Sequence, residues 1–144
     1  MRHWFSESVE QTEAIGRELA SELVPDGALL LHGDLGAGKT ALVRGLAAGL
    51  GVPPGEVQSP TFTLVREHRG TVARLLHFDL YRLEPDDVAA SGFEELLLGP
   101  GVKAVEWPER LPFELPGARR LTIARVAGER RRLEINDAPG CGEA

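Results

Sequence analysis

Cysteine, lysine and long apolar runs are all scarce in this chain of 144 residues. The single cysteine, Cys141, excludes an intramolecular disulfide and a cysteine-based zinc site, and it favours the reducing cytosol as the compartment. No stretch approaches the roughly 20 apolar residues of a membrane span, and Glu-rich sequence follows the first residues instead of an apolar signal core. We therefore expect a cytoplasmic protein with no membrane partner.

Positive charge is also in deficit, because 16 Lys and Arg stand against 22 Asp and Glu and give a formal net charge of -6. The molecule as a whole therefore repels nucleic-acid phosphates, and a role on RNA requires a local basic patch or a partner. The length allows one compact domain and excludes a second catalytic domain, while 42% hydrophobic and 26% charged residues are typical of a soluble globular protein. We predict one domain over residues 1–135 and a flexible tail over 136–144.

The apolar periodicity predicts an alternation of helices and strands. Helices are predicted over 8–24, over 40–50 and, interrupted by Gly92, over 86–98. Strands are predicted over 28–32, 61–67, 71–80 and 102–107, with a C-terminal hairpin formed by 121–126 and 131–135. Ser8 and Gln11 have the pattern of a capping box, and Gly51 stands where a C-cap glycine belongs. Together these features indicate an α/β domain with a mixed, partly parallel central sheet flanked by helices.

A glycine-rich loop between a predicted strand and a predicted helix carries the most specific motif. Residues 33–40, GDLGAGKT, match the P-loop pattern G-x-x-x-x-G-K-[ST] in full. Glycines let the backbone wrap a polyphosphate, N–H groups at the helix start supply partial positive charge, and Lys39 reaches the outer phosphates. Thr40 is predicted to place its hydroxyl on Mg²⁺. The residues assigned to nucleotide binding here are Gly33, Asp34, Leu35, Gly36, Ala37, Gly38, Lys39, Thr40 and Ala41.

Two acidic residues close apolar strands, where P-loop proteins keep the carboxylates that serve the metal ion. Asp79 follows the run 75–78, and we predict that it binds Mg²⁺; the alternative is that it simply starts a turn. Glu106 ends another apolar run and is a candidate to hold the attacking water or to support the metal ion. The alternative for Glu106 is a solvated residue at the end of a strand.

The segment Ser59-Pro60-Thr61 stands between the P-loop helix and the next strand, where many P-loop proteins sense the γ-phosphate. An ordinary loop explains the same residues, so both interpretations stay open. His77 shares the predicted strand face of Asp79, but a lone histidine there is more often structural. No other histidine has ligand spacing with it, so we predict no zinc. Trp107 is interpreted as a packing residue, with contact to a partner or a base as the alternative.

The predicted C-terminal hairpin concentrates positive charge in the run Arg130-Arg131-Arg132. Charge runs usually solvate a strand face, and that is the interpretation we favour. The sharper alternative is a patch that binds tRNA or the acidic surface of a partner.

The base of the nucleotide can be partly assigned. Guanine-specific P-loop proteins usually read the base with an Asn-Lys-x-Asp segment, but the only asparagine here is Asn136, followed by Asp137. ATP is therefore favoured over GTP. Two functions compete with an ATPase: a small-molecule kinase, and a scaffold that assembles a complex through nucleotide binding without turnover.

Four motifs, in this order, resemble one known family: GDLGAGKT at 33–40, SPTFTLV at 59–65, HFDLYRL at 77–83 and EWP at 106–108. The chain is similar to the bacterial TsaE family, the ATPases of tRNA threonylcarbamoyladenosine biosynthesis, over about residues 6–135. The opening helix also agrees with that family at Thr12, Gly16, Leu19 and Ala20. The chain departs from it at Ala41, where members often carry a second hydroxyl, and this removes no group that the reaction needs.

The resemblance implies an ATPase that uses ATP and Mg²⁺ and acts with the partner proteins TsaB and TsaD to place threonylcarbamoyl on tRNA. It implies that tRNA is reached through this complex and that TsaD performs the transfer. No arginine finger is identified in the sequence, so hydrolysis is expected to be slow alone and faster with partners. The site residues implied are Lys39, Asp79, Glu106 and Thr61 for catalysis, Thr40, Asp79 and Glu106 for the metal ion, and Thr12 near the adenine.

Overall fold

The computed structural model describes residues 2–34, 36–53, 55 and 65–136. The helices are α1 (Val9–Leu23), α2 (Lys39–Gly49), α3 (Pro85–Ser91) and α4 (Phe93–Leu98), and a 3₁₀ turn covers Pro108–Arg110. The strands are β1 (Arg2–Ser6), β2 (Ala28–His32), β3 (Val65–Arg69), β4 (Arg74–Asp79), β5 (Val102–Glu106), β6 (Arg119–Ala127) and β7 (Arg130–Ile135). Within these ranges no helix is long and apolar enough to cross a membrane.

The strands form one mixed sheet in the order β1-β7-β6-β2-β5-β4-β3. The central pairings are parallel, since β2 lies between β5 and β6 and β4 lies beside β5. The outer pairings, of β1 with β7, β6 with β7 and β3 with β4, are antiparallel. The predicted mixed, partly parallel sheet is confirmed. The carboxyl ends of β2, β4 and β5 therefore meet at one edge, where open α/β sheets bind their ligands.

Helices cover both faces of the sheet. One apolar cluster joins the sheet to α1 and α2 and includes Leu31, Leu42 and Ala104. A second cluster on the opposite face joins the sheet to α3 and α4 and includes Leu30 and Phe78. Leu30 and Leu31 belong to different clusters because successive strand residues point to opposite faces. The central parallel strands are therefore apolar on both sides, as expected for strands covered by helices.

The helix ends largely follow the sequence prediction. Ser8 is the N-cap of α1, and its hydroxyl accepts a hydrogen bond from the Gln11 backbone N–H at 3.1 Å. The Gln11 side chain accepts from the backbone N–H of Glu7 at 2.7 Å, so the reciprocal bond forms one residue earlier than a capping box predicts. Gly51 follows α2 with φ 84°, and Gly92 separates α3 from α4 with the same angle. Both are left-handed conformations that favour glycine.

The strand predictions differ from the structure in two places. Arg2–Ser6 forms the edge strand β1, which was not predicted because a largely exposed edge strand has no alternating apolar pattern. The second difference is that β3 continues to Arg69, so the turn at 68–70 was placed too early; a hydrogen bond from the Gly70 N–H to the Ala73 carbonyl closes it at 3.2 Å. His68 is buried within the strand, which explains the shift. The predicted strand residues 61–64 lie outside the described residues.

The C-terminal end of the described chain is anchored to β6. The Asn136 backbone N–H donates to the Arg120 carbonyl at 3.1 Å, and the Asn136 side-chain oxygen accepts from the Arg120 N–H at 2.9 Å. Asn136, the first residue of the predicted tail, is therefore hydrogen-bonded to β6. The rest of that tail, 137–144, is outside the residues that the structure describes.

Candidate nucleotide-binding site

The loop between β2 and α2 places a lysine at the start of a buried helix. Lys39 is the first residue of α2, and Gly38 before it has φ 110°, which glycine adopts without strain. The Lys39 ammonium donates a hydrogen bond to the Gly33 carbonyl at 2.6 Å, and the residue is only 5% exposed. The first turn of α2 therefore combines helix N–H groups with a cation, which is the chemistry that binds phosphate.

Asp79 and Glu106 end neighbouring strands side by side. They are the last residues of β4 and β5, and the parallel register pairs them directly. Leu75 and Ala104 belong to the apolar cluster beneath α2, and side chains at even spacing along a strand share its face. Both carboxylates therefore lie on the sheet face that carries α2 and its loop.

Burial and the neighbouring acid both disfavour a negative charge on Asp79. Burial raises the pKa of Asp79 above its ordinary value, and the neighbouring charge of Glu106 raises it further. A hydrogen bond from the Tyr81 backbone N–H at 3.0 Å and the charge of Lys39 act in the opposite direction on this pKa. Mg²⁺ in phosphate-binding sites is typically held by one or two carboxylates together with phosphate oxygens and waters. Asp79, Glu106 and the Thr40 hydroxyl are a donor set of that kind.

His77 is bound directly to Glu106. Its Nε2 lies 2.6 Å from Glu106 Oε2, His77 is fully buried, and Glu106 is 5% exposed. Sequence reasoning placed His77 on the strand face of Asp79 and favoured a structural role. The structure adds the contact with Glu106. The only sequence signal that bears on it is the spacing of two residues between His77 and Asp79, which puts the two side chains on the same strand face.

Trp107 packs over the P-loop lysine. Its backbone is left-handed, with φ 61°, and it leads directly into the 3₁₀ turn. The indole ring lies 4.1 Å from Lys39 Nζ and its centroid is 4.9 Å from the Tyr81 ring, so it makes a cation–π contact and a tilted aromatic contact. Packing is thus one of its roles, and contact with a partner or a base stays a prediction.

Arg131 joins the C-terminal hairpin to the P-loop. Its Nε–H donates to the Ala37 carbonyl at 2.8 Å, and its Nη1 donates to the Gly128 carbonyl at 3.0 Å. A Cβ atom at Gly38 would lie 3.7 Å from the same Arg131 Nε. Sequence reasoning missed this contact, because nothing in an arginine run shows which member turns toward a loop 94 residues away.

Other predicted nucleotide contacts sit around the loop. The Asp34 carbonyl accepts from the Ala37 N–H at 3.1 Å. Gly36 has φ 80°, and no other atom of the described residues lies within 4 Å of the position of a Cβ atom there. Thr40 is half-buried, whereas Ala41 is buried. Leu35 lies outside the described residues, as do Ser59 and Thr61.

Thr12 is a predicted site residue whose side chain is buried and hydrogen-bonded within the protein. It is 1% exposed, and its hydroxyl oxygen lies 2.7 Å from the Ser6 hydroxyl and 3.3 Å from the Ser8 carbonyl. These bonds connect β1 to the first turn of α1. Contact between Thr12 and an adenine stays a prediction.

The fold and the arrangement of Lys39, Asp79 and Glu106 define a P-loop NTPase-like α/β protein. The family model described as "Threonylcarbamoyl adenosine biosynthesis protein TsaE" matches residues 6–133, and the chain belongs to the TsaE family. The resemblance drawn from the four sequence motifs is thereby confirmed.

Relatives and a solved structure support the same assignment. The tRNA threonylcarbamoyladenosine biosynthesis protein TsaE of Synechocystis sp. is 47% identical over 117 residues, which cover 78% of this chain and 73% of the relative. The protein of the same name from Bacillus subtilis is 40% identical over 129 residues, covering 90% and 80%. The crystal structure of YdiB from Bacillus subtilis is similar with a TM-score of 0.76 and 32% identity, covering 97% of this chain and 86% of that one.

Proposed function

We propose that this chain is a Mg²⁺-dependent ATPase that supports threonylcarbamoylation of the adenosine beside the anticodon of tRNA. Membership of the TsaE family supports the pathway. One observation supports the ATPase activity above others: a P-loop lysine and two strand-terminal carboxylates share one sheet edge, close enough for the Lys39 charge to act on Asp79. A cytoplasmic location follows from the substrate, since tRNA is modified there.

Each group has a role in this proposal. The loop N–H groups and Lys39 hold the phosphates and stabilise the charge that develops during transfer to water. Thr40 and Asp79 would hold Mg²⁺, and the ion would supply positive charge to neutralise the phosphate oxygens. Glu106 orients the attacking water or supports the metal ion. Thr61, in the segment that precedes β3, senses the γ-phosphate.

The proposed partners are TsaB and TsaD, with tRNA bound through their complex. The net charge of -6 supports an indirect route to tRNA, because the chain as a whole repels polyanions. We expect slow hydrolysis by the isolated chain, since positioning and electrostatics must be completed by an additional cation or by closure against a partner. Equal ATP turnover with and without TsaB and TsaD would contradict this part of the proposal.

The decisive experiment is multiple-turnover formation of threonylcarbamoyladenosine on tRNA with TsaB, TsaD and a threonylcarbamoyl-adenylate source. The protein is supplied as wild type, as Lys39→Ala, or left out. We expect product beyond one turnover with the wild type alone. Arg69→Ala is the matched control, because it also removes a cation, but an exposed one paired with Glu67. Indifference of the reaction to the wild-type protein would refute the proposal.

Two further arms separate the competing functions. With γ-labelled ATP, an ATPase releases free phosphate, whereas a small-molecule kinase transfers the label to a metabolite. Glu106→Gln keeps the P-loop and its lysine, so it should still bind nucleotide. A scaffold would support tRNA modification with this variant, whereas an ATP-driven protein would not.

A further inference from the structure

We propose that His77 is a positioning residue that fixes the Glu106 carboxylate through a hydrogen bond from Nε2. The inference rests on the proposed function, because it assigns Glu106 to the metal ion or the attacking water. The contact itself is short, at 2.6 Å between His77 Nε2 and Glu106 Oε2. Neither side chain is free to turn, since His77 is fully buried and the Glu106 side chain is 7% exposed.

The strand register explains how the two side chains meet. His77 pairs with Ala104 and Asp79 pairs with Glu106 on the parallel strands β4 and β5. His77 therefore lies diagonally across from Glu106 on the same sheet face, within reach of its longer side chain. Asp79 lies directly opposite Glu106. The Glu106 carboxylate is therefore flanked by a histidine and by a second acid.

The proposed bond has the Nε2–H group of His77 as the donor and the Glu106 oxygen as the acceptor, because a carboxylate without a proton can only accept. The bond occupies Oε2 and leaves Oε1 of Glu106 to accept from a water or to bind a cation. A donor that fixes one oxygen also fixes the direction of the other, as supporting partners do for metal-ligating side chains.

A purely structural role explains the histidine poorly. In the part of the chain that the structure describes, His77 Nδ1 is buried and has no hydrogen-bond partner. A buried polar atom without a partner destabilises the fold, and the side chains of Leu75, Leu76 and Phe78 beside it along β4 are fully apolar. Packing alone would therefore be served better by an apolar side chain. The hydrogen bond to Glu106 is the compensating interaction.

The test compares substitutions that differ in the position of the donor. His77→Gln can place its amide N–H where Nε2 stands, His77→Asn carries an amide that reaches only as far as Nδ1, and His77→Leu has no donor. We expect His77→Asn and His77→Leu to lower kcat by about 10- to 100-fold, while His77→Gln restores most of the rate. Affinity for nucleotide without Mg²⁺ should stay within about twofold in all three, because it depends on the P-loop.

Two readouts do not depend on turnover. In metal-free protein, long-range ¹H–¹⁵N correlation should show His77 as the Nε2–H tautomer, with a proton shift that moves in Glu106→Gln. The gain in ADP affinity that Mg²⁺ produces should shrink in His77→Asn and His77→Leu and recover in His77→Gln. A kcat and a Mg²⁺ gain at wild-type level in His77→Leu would overturn the inference, as would an Nδ1–H tautomer.

The outcomes also separate this inference from the function on which it rests. If the wild type releases no phosphate from ATP with or without partners, the proposed function fails. The tautomer and the Mg²⁺-dependent ADP affinity then still decide whether His77 positions Glu106. Loss of the rate in all three variants together with a common loss of Tm would overturn the positioning role and make His77 structural.

Discussion

Gly45→Ala tests a close contact between the backbones of α2 and α1. A Cβ atom at Gly45 would lie 1.9 Å from the Glu13 carbonyl oxygen, 2.6 Å from its carbonyl carbon and 2.8 Å from its Cα. All three are backbone atoms of α1, so no flexible side chain can move aside. A Cβ atom at Gly16, on the facing helix, meets the Leu42 carbonyl oxygen at 2.2 Å. The two glycines therefore set the distance between α1 and α2.

The magnitude follows from this geometry. Good non-bonded contacts lie at about 3.5–4.0 Å, so α1 must move by more than about 1.5 Å or the helices must distort. Overpacking of this kind costs about 1–3 kcal/mol. Where the helices separate, a gap of about 1 Å also removes a quarter to a half of the dispersion energy of the contacts beside the glycine. In the opposite direction, alanine has a higher helix propensity than glycine and stabilises α2 by about 1 kcal/mol. We expect a net loss near 2 kcal/mol and a fall in Tm of roughly 5–10 °C.

Thermal and urea unfolding, followed by circular dichroism, measure this loss. Glu18→Ala is the matched control, because it adds alanine to the exposed face of α1 without touching α2. ADP affinity should fall as well, since α2 begins at Lys39 and any shift of the helix moves the P-loop. A Gly45→Ala protein as stable as the wild type, or more stable, would show that propensity outweighs contact and would refute the reasoning.

Three further predictions concern the site. Asp79→Asn should raise Tm by about 1–3 °C in metal-free buffer at neutral pH, because burial and then Glu106 raise the pKa of that carboxyl and its ionised form destabilises the fold. Ionisation of Asp79 lowers the free energy of unfolding only above the ordinary pKa of 3.8, so the higher Tm of Asp79→Asn should approach that of the wild type as the pH falls toward that value. An unchanged or lower Tm of the variant at neutral pH contradicts this. Arg131→Ala should weaken ADP binding about tenfold, measured by calorimetry, because the P-loop loses a charged hydrogen bond. Arg132→Ala should leave ADP binding unchanged, and equal effects of the two substitutions would exclude a specific role of Arg131 at the P-loop. In a Trp4→Phe background, Trp107 emission should change during ADP titration because the ring lies 4.1 Å from the P-loop lysine, and constant emission counts against that contact.

The parts of the site that the sequence predicted are those encoded over short distances. The P-loop pattern and the strand that precedes it occupy contiguous residues, and the structure has β2 before that loop and α2 after it. Asp79 and Glu106 were expected at strand ends, and the register places them side by side. The fold class was predictable for the same reason, because helix and strand periods are local.

The parts that the sequence missed depend on distant pairing. Strand β1 exists because β7 supplies its hydrogen bonds, with Arg2 opposite Ile135. Arg131 contacts the P-loop because the β6–β7 hairpin lies beside β2, and His77 meets Glu106 because β4 lies beside β5. The residues in these two contacts are 94 and 29 positions apart in the chain, so no local pattern records the contacts.

The strand order has a consequence for how the protein is made. Strand β2, which carries the P-loop, lies between β5 and β6, and both follow it in the chain. A growing chain on the ribosome therefore holds β2 with both edges unpaired until β5 has emerged, and with one edge unpaired until Arg119–Ala127 has emerged. Such late, long-range pairing slows folding and exposes strand edges to aggregation. The strands that flank the P-loop strand are thus among the last to be added during synthesis, and a nascent chain that ends after α4 lacks both of them, and with them Glu106.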